Sequence, residues 1–266
     1  MAARRRLDTE LVRRGLARSR EHAATLVAGG RVLVRGQAAG KPATQVDPAD
    51  AIILTGDGAD EEYVSRGGHK LAGALAAFPG LAVAGRRCLD AGASTGGFTD
   101  VLLRAGAAHV IAADVGYGQL AWRLRTDERV TVLDRLNLRQ LEPAQLAVAP
   151  DVITADLSFI SLTLVLPALA RAASPGADYL LLVKPQFEVG KDRVGAGGVV
   201  RDPGLRADAI TTVATAAAAL GLGAAGLVAS PLPGAAGNVE YFLWLRPGAP
   251  PLDPGAVQRA IAEGPQ

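Results

Sequence analysis

Cysteine is almost absent. Of 266 residues only Cys88 is one, and only three are histidine and one methionine. That scarcity excludes a disulfide framework and a Cys/His metal centre, and the sequence offers no metal site. A lone thiol in an apolar strand suits a reducing compartment, so the expected location is cytoplasmic. No apolar run follows Ala2-Ala3-Arg4-Arg5-Arg6, so no secretory leader is read. Long hydrophobic runs are missing too. The one extended uncharged stretch, Ile210 to Ala229, is mostly Ala, Gly and Thr and is interrupted by Gly221, Gly223 and Gly226. It is expected to pass from helix to strand rather than cross a membrane. The glycine-bearing stretch Asp90–Thr99 is neither a Gly-Lys-Ser/Thr phosphate loop nor a G-x-G-x-x-G dinucleotide loop, since Ser94 stands where the second glycine would be, and no internal repeats stand out. What remains is a chain that is 49% hydrophobic, enough for a true core.

Its net charge of +2 is unevenly spread. Residues 1–35 hold nine arginines against Asp8, Glu10 and Glu21, a local excess of six positive charges, so the rest of the chain is net negative. Arginine without lysine favours bidentate phosphate contact, and the N-terminal end is expected to bind a polyanion rather than present a merely solvated face. Its pattern is compact. Leu7, Leu11 and Val12 share one face of a short helix. Ser19 can cap a second helix with Ala23, Leu26 and Val27 inward, and Gly29-Gly30 stops it. Short strands follow at Arg31–Val34 and Ala51–Leu54. On Arg6-Leu7-Asp8, Ser19-Arg20 and Gly30-Arg31-Val32-x-Val34-x-Gly36, this block resembles the α-L RNA-binding domain first seen in a small-subunit ribosomal protein. That resemblance implies phosphate contacts at Arg4, Arg6, Arg18, Arg20 and Lys41.

The expected division is a head over 1–59, a polar and acidic linker over 60–68, a catalytic body over 69–248 and a tail over 249–266 that starts Pro-rich and can end in a short helix. Ser65 to Gly68 reads as a turn, with a helix from His69 to Phe78. Strand and helix patterns then alternate: strands at Arg87–Asp90, His109–Asp114, Val130–Leu133, Asp151–Asp156 and Tyr179–Lys184, with helices at Phe98–Ala105, Leu120–Leu124, Leu162–Ala172 and Leu205–Leu220. Two more strands, Ala225–Ala229 and Tyr241–Arg246, are joined by Ser230–Glu240 without a helix, so the last should run antiparallel. The fold class is therefore α/β: a seven-stranded Rossmann-like sheet with its last strand antiparallel, as in class I methyltransferases, behind a small α+β head.

The segment from Asp90 to Thr99 reads as strand, tight turn and helix start. Taken alone it fits a generic glycine-rich turn or the first motif of S-adenosylmethionine (SAM) methyltransferases. Charged residues gather at the same end of the expected sheet. Asp90, Asp114, Asp134, Asp156 and Lys184 follow strands, and Glu240 precedes the antiparallel one. The acid after the second strand suits a ribose diol. Asp156, Lys184 and Glu240 read either as a structural ion-pair network or as machinery for deprotonating a ribose hydroxyl. Lys184 would be base or charge stabiliser, and Lys70 would offset the acids.

Six segments together resemble the TlyA family, ribosomal RNA methyltransferases that carry the hemolysin A name. They are Ser65-Arg66-Gly67-Gly68-His69-Lys70-Leu71, Leu89–Thr99, Ala113–Leu120, Ala155–Leu162, Lys184–Gly190 and Gly237–Tyr241. The resemblance implies an FtsJ-like catalytic body, SAM as cofactor and 2′-O-methylation of cytidine in ribosomal RNA. Through the longer N-terminus and tail it implies action on both ribosomal subunits, with an influence on capreomycin and viomycin sensitivity. It puts the catalytic set on Lys70, Asp156, Lys184 and Glu240. Cofactor contacts fall on Asp90, Gly92, Ala93, Ser94, Thr95, Gly96, Gly97, Phe98, Asp114, Val115, Asp134, Asn137 and Asp156, with Arg66 as a further RNA contact. Asp134-Arg135-Leu136-Asn137 departs from the family's Glu-Arg-Thr-Asn. Two other readings use the same residues: a membrane-active hemolysin, for which 210–229 is the segment to test, and a non-catalytic RNA-binding or ribosome assembly factor.

Overall fold

A computed structural model describes residues 4–14, 16–17, 19–47, 50–54 and 63–264. The chain forms two compact units, 1–62 and 63–266.

The first unit contains β1 (Arg5–Arg6), α1 (Leu7–Arg13), α2 (Arg20–Ala28), β2 (Val32–Val34), β3 (Gln37–Ala38), β4 (Gln45–Val46) and β5 (Ile52–Leu54). Strand β2 pairs antiparallel with β3 and β5, and β1 with β4. Ser19 caps α2 by accepting from the His22 amide at 3.1 Å, as its position before the apolar face predicts. The core is small: Leu7, Leu11, Ala23, Leu26, Val27 and Val32 are its centre. Two acids are buried beside it. Glu10 binds Arg13 and Arg14, at 2.6 and 2.8 Å, and Asp8 binds Arg6 and Arg20, at 2.7 and 3.2 Å. The Arg6 guanidinium holds the Asp8 carboxyl well below the usual carboxylate range. Arg6, Arg13, Arg14 and Arg20 therefore also serve the fold of this unit, and Arg35 pairs with Asp50 at 2.6 Å.

The second unit begins with α3 (Arg66–Ala77) and then alternates: β6 (Arg87–Ala91), α4 (Gly97–Arg104), β7 (His109–Ala113), α5 (Trp122–Arg125), β8 (Val130–Leu133), β9 (Val152–Ala155), α6 (Leu166–Ala172), β10 (Asp178–Val183), α7 (Pro185–Glu188), α8 (Pro203–Ala218), β11 (Leu222–Ala229), β12 (Tyr241–Pro247) and α9 (Pro254–Glu263). Its sheet runs β11-β12-β10-β9-β6-β7-β8, with β12 alone antiparallel. Strand β10 is buried throughout, as its continuous apolar run requires. Period-two alternation sends Tyr179, Leu181 and Val183 to one face, with α6, α8 and α9, and sends Leu180 and Leu182 to the other, with α3 and α4. Cys88 lies in this core, where burial pushes its thiol up to about 12.

Three sequence-based expectations change. Helix α3 starts at Arg66, so the expected turn Ser65–Gly68 is largely its first turn, with Ser65 at the N-cap position. Helix α5 is a single turn from Trp122 rather than a run from Leu120. The residues after 248 are no loose tail: Val257, Ala260 and Ile261 of α9 are buried in the main core. Ile210 to Ala229 does divide into the end of α8 and strand β11. No helix among the described residues is long and apolar enough to cross a membrane.

Candidate active site

The turn between β6 and α4 is shaped by what surrounds it. Gly92 has φ +90°, and a Cβ there would stand 2.5 Å from the Asp156 carbonyl oxygen, so only glycine lets the two strand ends close together. Gly96 has φ +99°, and a Cβ would run into Leu120 and Leu124. At Gly97 it would collide with Ser65 and the Gly68 amide. Gly96 and Gly97 are thus demanded by packing of the chain on itself. Of these two expected cofactor contacts, Gly97 lines a cavity and Gly96 does not. Asp114 at the end of β7 ties the turn down, accepting from the Ser94 amide at 2.9 Å and the Gly116 amide at 2.6 Å.

Two cavities, of about 230 and 580 Å³, adjoin at Gly92, Ser94 and Asp156. Ala93, Thr95, Gly97, Phe98, Arg66 and Lys70 line the smaller. Asp114, Val115, Leu136, Asn137, Leu157 and Ile160 are among those that line the larger. An acid beside apolar walls suits a nucleoside, and the glycine turn at the junction suits a more polar extension.

Besides Gly96, two expected cofactor residues sit off the cavity walls. Asp90 is fully buried beneath the turn, where Thr99 Oγ1 donates to Oδ2 at 2.6 Å and Oδ1 has no hydrogen-bond partner. It braces α4 against β6 from inside. Asp134 is off the cavity wall because Arg125 holds it in an ion pair at 2.5 Å, which lowers its carboxyl.

Burial pushes the Asp90 carboxyl up to about 7, and the negative charge of Asp156 adds to the rise. The folded protein therefore keeps this proton where the unfolded chain has lost it. Stability should fall as pH rises from about 4 to about 7 and then level off, by on the order of 4 kcal/mol in all. Asp90→Asn is expected to gain thermal stability relative to wild type over that window, with a constant difference above it. Parallel melting-temperature profiles for the two proteins between pH 4 and 8 would refute this.

The four expected catalytic residues come from separate elements and meet the same end of the sheet as two ion pairs. Lys70 Nζ on α3 lies 2.5 Å from Glu240 Oε2, and Lys184 Nζ lies 2.5 Å from Asp156 Oδ1. Lys184 also donates to Ser158 Oγ at 3.2 Å. Lys70 and Lys184 are each 8% exposed and Glu240 2%. The pairing of Val183 with Tyr241 sets Lys184 and Glu240 side by side one step further on. Each lysine thus has a carboxylate of its own, rather than Lys70 offsetting a shared acidic cluster. A hydroxyl placed here would find a clustered, nearly neutral set of donors and acceptors, able to take up a proton and to steady a developing negative oxygen.

The sequence reading missed Phe159. It is 92% exposed, has φ +65°, and its ring lies 5.3 Å from that of Phe187, which in turn sits 6.0 Å from Lys184 Nζ. In Ser158-Phe159-Ile160-Ser161 it looks like one more inward apolar residue, and only the left-handed backbone turns it out. Glu188 was missed too. It accepts from Ser161 Oγ at 2.5 Å and the Leu162 amide at 2.9 Å, and burial pushes its carboxyl up. In the first unit Arg4 and Lys41 are exposed, Arg6 and Arg20 share Asp8, and Arg18 lies outside the described residues. Among the described residues no group of three or more His, Cys, Asp or Glu side chains is placed to hold a metal ion.

Residues 63–247 match the FtsJ-like methyltransferase family, and residues 5–52 match the S4 domain. The chain is 60% identical over its full length, and that of the relative, to the 16S/23S rRNA (cytidine-2′-O)-methyltransferase TlyA of Mycobacterium tuberculosis. It is 36% identical to Hemolysin A of Brachyspira hyodysenteriae, covering 89% of this chain and 98% of the other. Its fold superposes with a TM-score of 0.75 on a Streptococcus thermophilus protein solved as a candidate hemolysin, 39% identical, over 99% of this chain and 96% of that one. The cofactor of such methyltransferases is SAM, and the two adjoining cavities, with Asp114 at the nucleoside side and the Gly92–Phe98 turn at their junction, fit it. Strand order, turn and rim residues thus agree with sequence similarity along the whole length, and the chain belongs to the FtsJ-like methyltransferase family, in its TlyA group, with an S4 domain ahead of the catalytic unit.

Proposed function

We propose that this protein methylates the 2′-hydroxyl of cytidine in ribosomal RNA. It acts in the cytoplasm on both ribosomal subunits, and the modification sets sensitivity to capreomycin- and viomycin-type antibiotics. The observation that carries this reading is the meeting of Lys70, Asp156, Lys184 and Glu240 as two ion pairs beside a cavity walled by the glycine turn. The resemblance to a named cytidine-2′-O-methyltransferase supports the choice of acceptor.

The bound cofactor supplies an electrophilic methyl on a sulfonium. The ribose oxygen must gain that methyl and give up its proton. Lys184, oriented by Asp156 and Ser158, stands where its neutral amine accepts the hydroxyl proton and the ammonium so formed steadies the oxygen as it takes the methyl. The Lys70–Glu240 pair holds the start of α3 against the start of β12 and so keeps the rim closed around the hydroxyl. Phe159 offers an exposed ring face to a base turned out of its stack, with Phe187 behind it. The N-terminal arginines and Lys41 supply sequence-independent attraction to the RNA backbone.

Transfer of a tritiated methyl group from SAM to purified small and large subunits tests the reading. Label is expected in both; absence of label from both defeats it. A second measurement addresses the head. Arg20→Ala combined with Lys41→Ala leaves Arg6 on Asp8 and so spares the fold. The pair should weaken subunit binding and flatten the plot of log affinity against log salt by roughly one to two. An unchanged slope would mean that these charges face only solvent.

A further inference from the structure

Glu188 stands behind the site and its carboxylate reaches no cavity wall. What it holds is the loop that runs from Asp156 to Leu162. That loop carries Asp156 and Ser158, both bound to Lys184, and Phe159 in its left-handed turn. A left-handed conformation at a bulky residue is strained, and it persists only where neighbouring contacts over-determine it. The segment Lys184–Glu188 supplies three such contacts: the Lys184 ammonium on Asp156 and Ser158, the Phe187 ring on Phe159, and the Glu188 carboxylate on Ser161 Oγ and the Leu162 amide. The first two involve groups of the site itself. The third fastens the far end of the loop, where Ser161 already caps the following short helix through the Thr163 amide at 3.1 Å. Only a group accepting two hydrogen bonds at once satisfies both donors, and a carboxylate does that.

We propose that Glu188 is a positioning residue for the methyl acceptor: it locks the 156–162 loop onto the 184–188 turn, so that Phe159 and the Lys184–Asp156–Ser158 cluster share one fixed geometry. The proposal rests on the reading of the site as one that receives a ribose hydroxyl. It predicts a division of effects. Leu157 and Ile160 of this loop also wall the larger cavity, which the cofactor's nucleoside would fill, so SAM affinity should fall slightly on loss of Glu188. Acceptor engagement should fall more, because loss of the lock lets Phe159 and Ser158 relax away from Lys184.

The test is steady-state methyl transfer with Glu188→Ala and Glu188→Gln, varying ribosomal subunits and SAM separately, with binding of SAM measured by calorimetry. For Glu188→Ala the KM for subunits is expected to rise at least about fivefold and kcat to fall about tenfold, with SAM affinity within about twofold of wild type. Glu188→Gln keeps one acceptor and turns a donor to the serine hydroxyl, so it should recover part of the loss. Hydrogen exchange at the Leu162 amide should quicken in Glu188→Ala while the amides of β9 and β10 stay protected. A merely structural role lowers the amount of active enzyme and leaves the KM for subunits unchanged; that outcome overturns the proposal, as does equal loss of SAM affinity. Should Glu188→Ala fail to fold, the KM of Glu188→Gln decides in the same way. Active wild type with unaffected variants defeats this inference alone, whereas inactive wild type defeats the functional reading and the inference with it.

Discussion

Lys184→Ala is expected to reduce methyl transfer to ribosomal subunits by at least about 10³-fold while leaving SAM affinity within a few-fold of wild type. The reason is geometric. The ammonium group is 2.5 Å from Asp156 and 3.2 Å from Ser158, and 8% exposed, so water cannot readily take its place. A preorganised donor in such a setting contributes about 3–4 kcal/mol to a transition state in which an oxygen becomes negative, and loss of proton transfer compounds it. The Asp156 side chain is 24% exposed, so it can be solvated once the lysine is gone and the fold should survive. Lys184→Met, which keeps the stem and its packing, should be as inactive as alanine. Single-turnover labelling of subunits checks both. A variant that methylates within tenfold of wild type would remove Lys184 from the chemistry and return the cluster to a structural ion-pair role.

Lys70→Met should produce the largest stability change of any single substitution at the rim. Glu240 is 2% exposed, and Lys70 Nζ at 2.5 Å is the cation it has. Removing one member of a buried pair costs about 3–5 kcal/mol because the other charge is left without compensation, whereas replacing both with apolar residues of similar size costs far less. Chemical unfolding should therefore show Lys70→Met strongly destabilised at pH 8 and the double variant with Glu240→Leu partly restored. The single variant should also become pH-sensitive with a definite sign. An unpaired buried carboxyl has its pKa raised, so it gains protons in the folded state and stability falls as pH rises through the carboxylate range and beyond. A cost below about 1 kcal/mol, or a double variant as weak as the sum of the two singles, would mean that the pair is loosely solvated and adds little.

How much of this was open to a reader of the sequence depends on the range of the interaction. The order of strands and helices was legible because burial on two faces writes short continuous apolar runs into strands such as β10 and β12. The antiparallel last strand was legible because eleven residues without a helix join it to β11. Helix ends were less so. Arg66-Gly67-Gly68 after Ser65 looks like a breaker, yet tertiary packing of Gly68 on Tyr63 and of Gly97 on Ser65 carries α3 through it. A short helix ending the Pro-rich tail was legible, but only the contact of α9 with the main core makes it part of the catalytic unit.

By itself the sequence determined the fold class, the glycine turn, the charges that end the strands and the basic head, since each follows from local pattern and from residue types no other chemistry uses together. Tertiary structure alone decided partnership. It gave Lys70 to Glu240 across 170 residues and Lys184 to Asp156. It withdrew Asp90 from the cavity and Asp134 to Arg125, turned Phe159 outward and fastened its loop with Glu188. Ion pairs and hydrogen bonds act over a few ångströms, and which groups come that close is fixed by strand order and helix packing rather than by spacing along the chain.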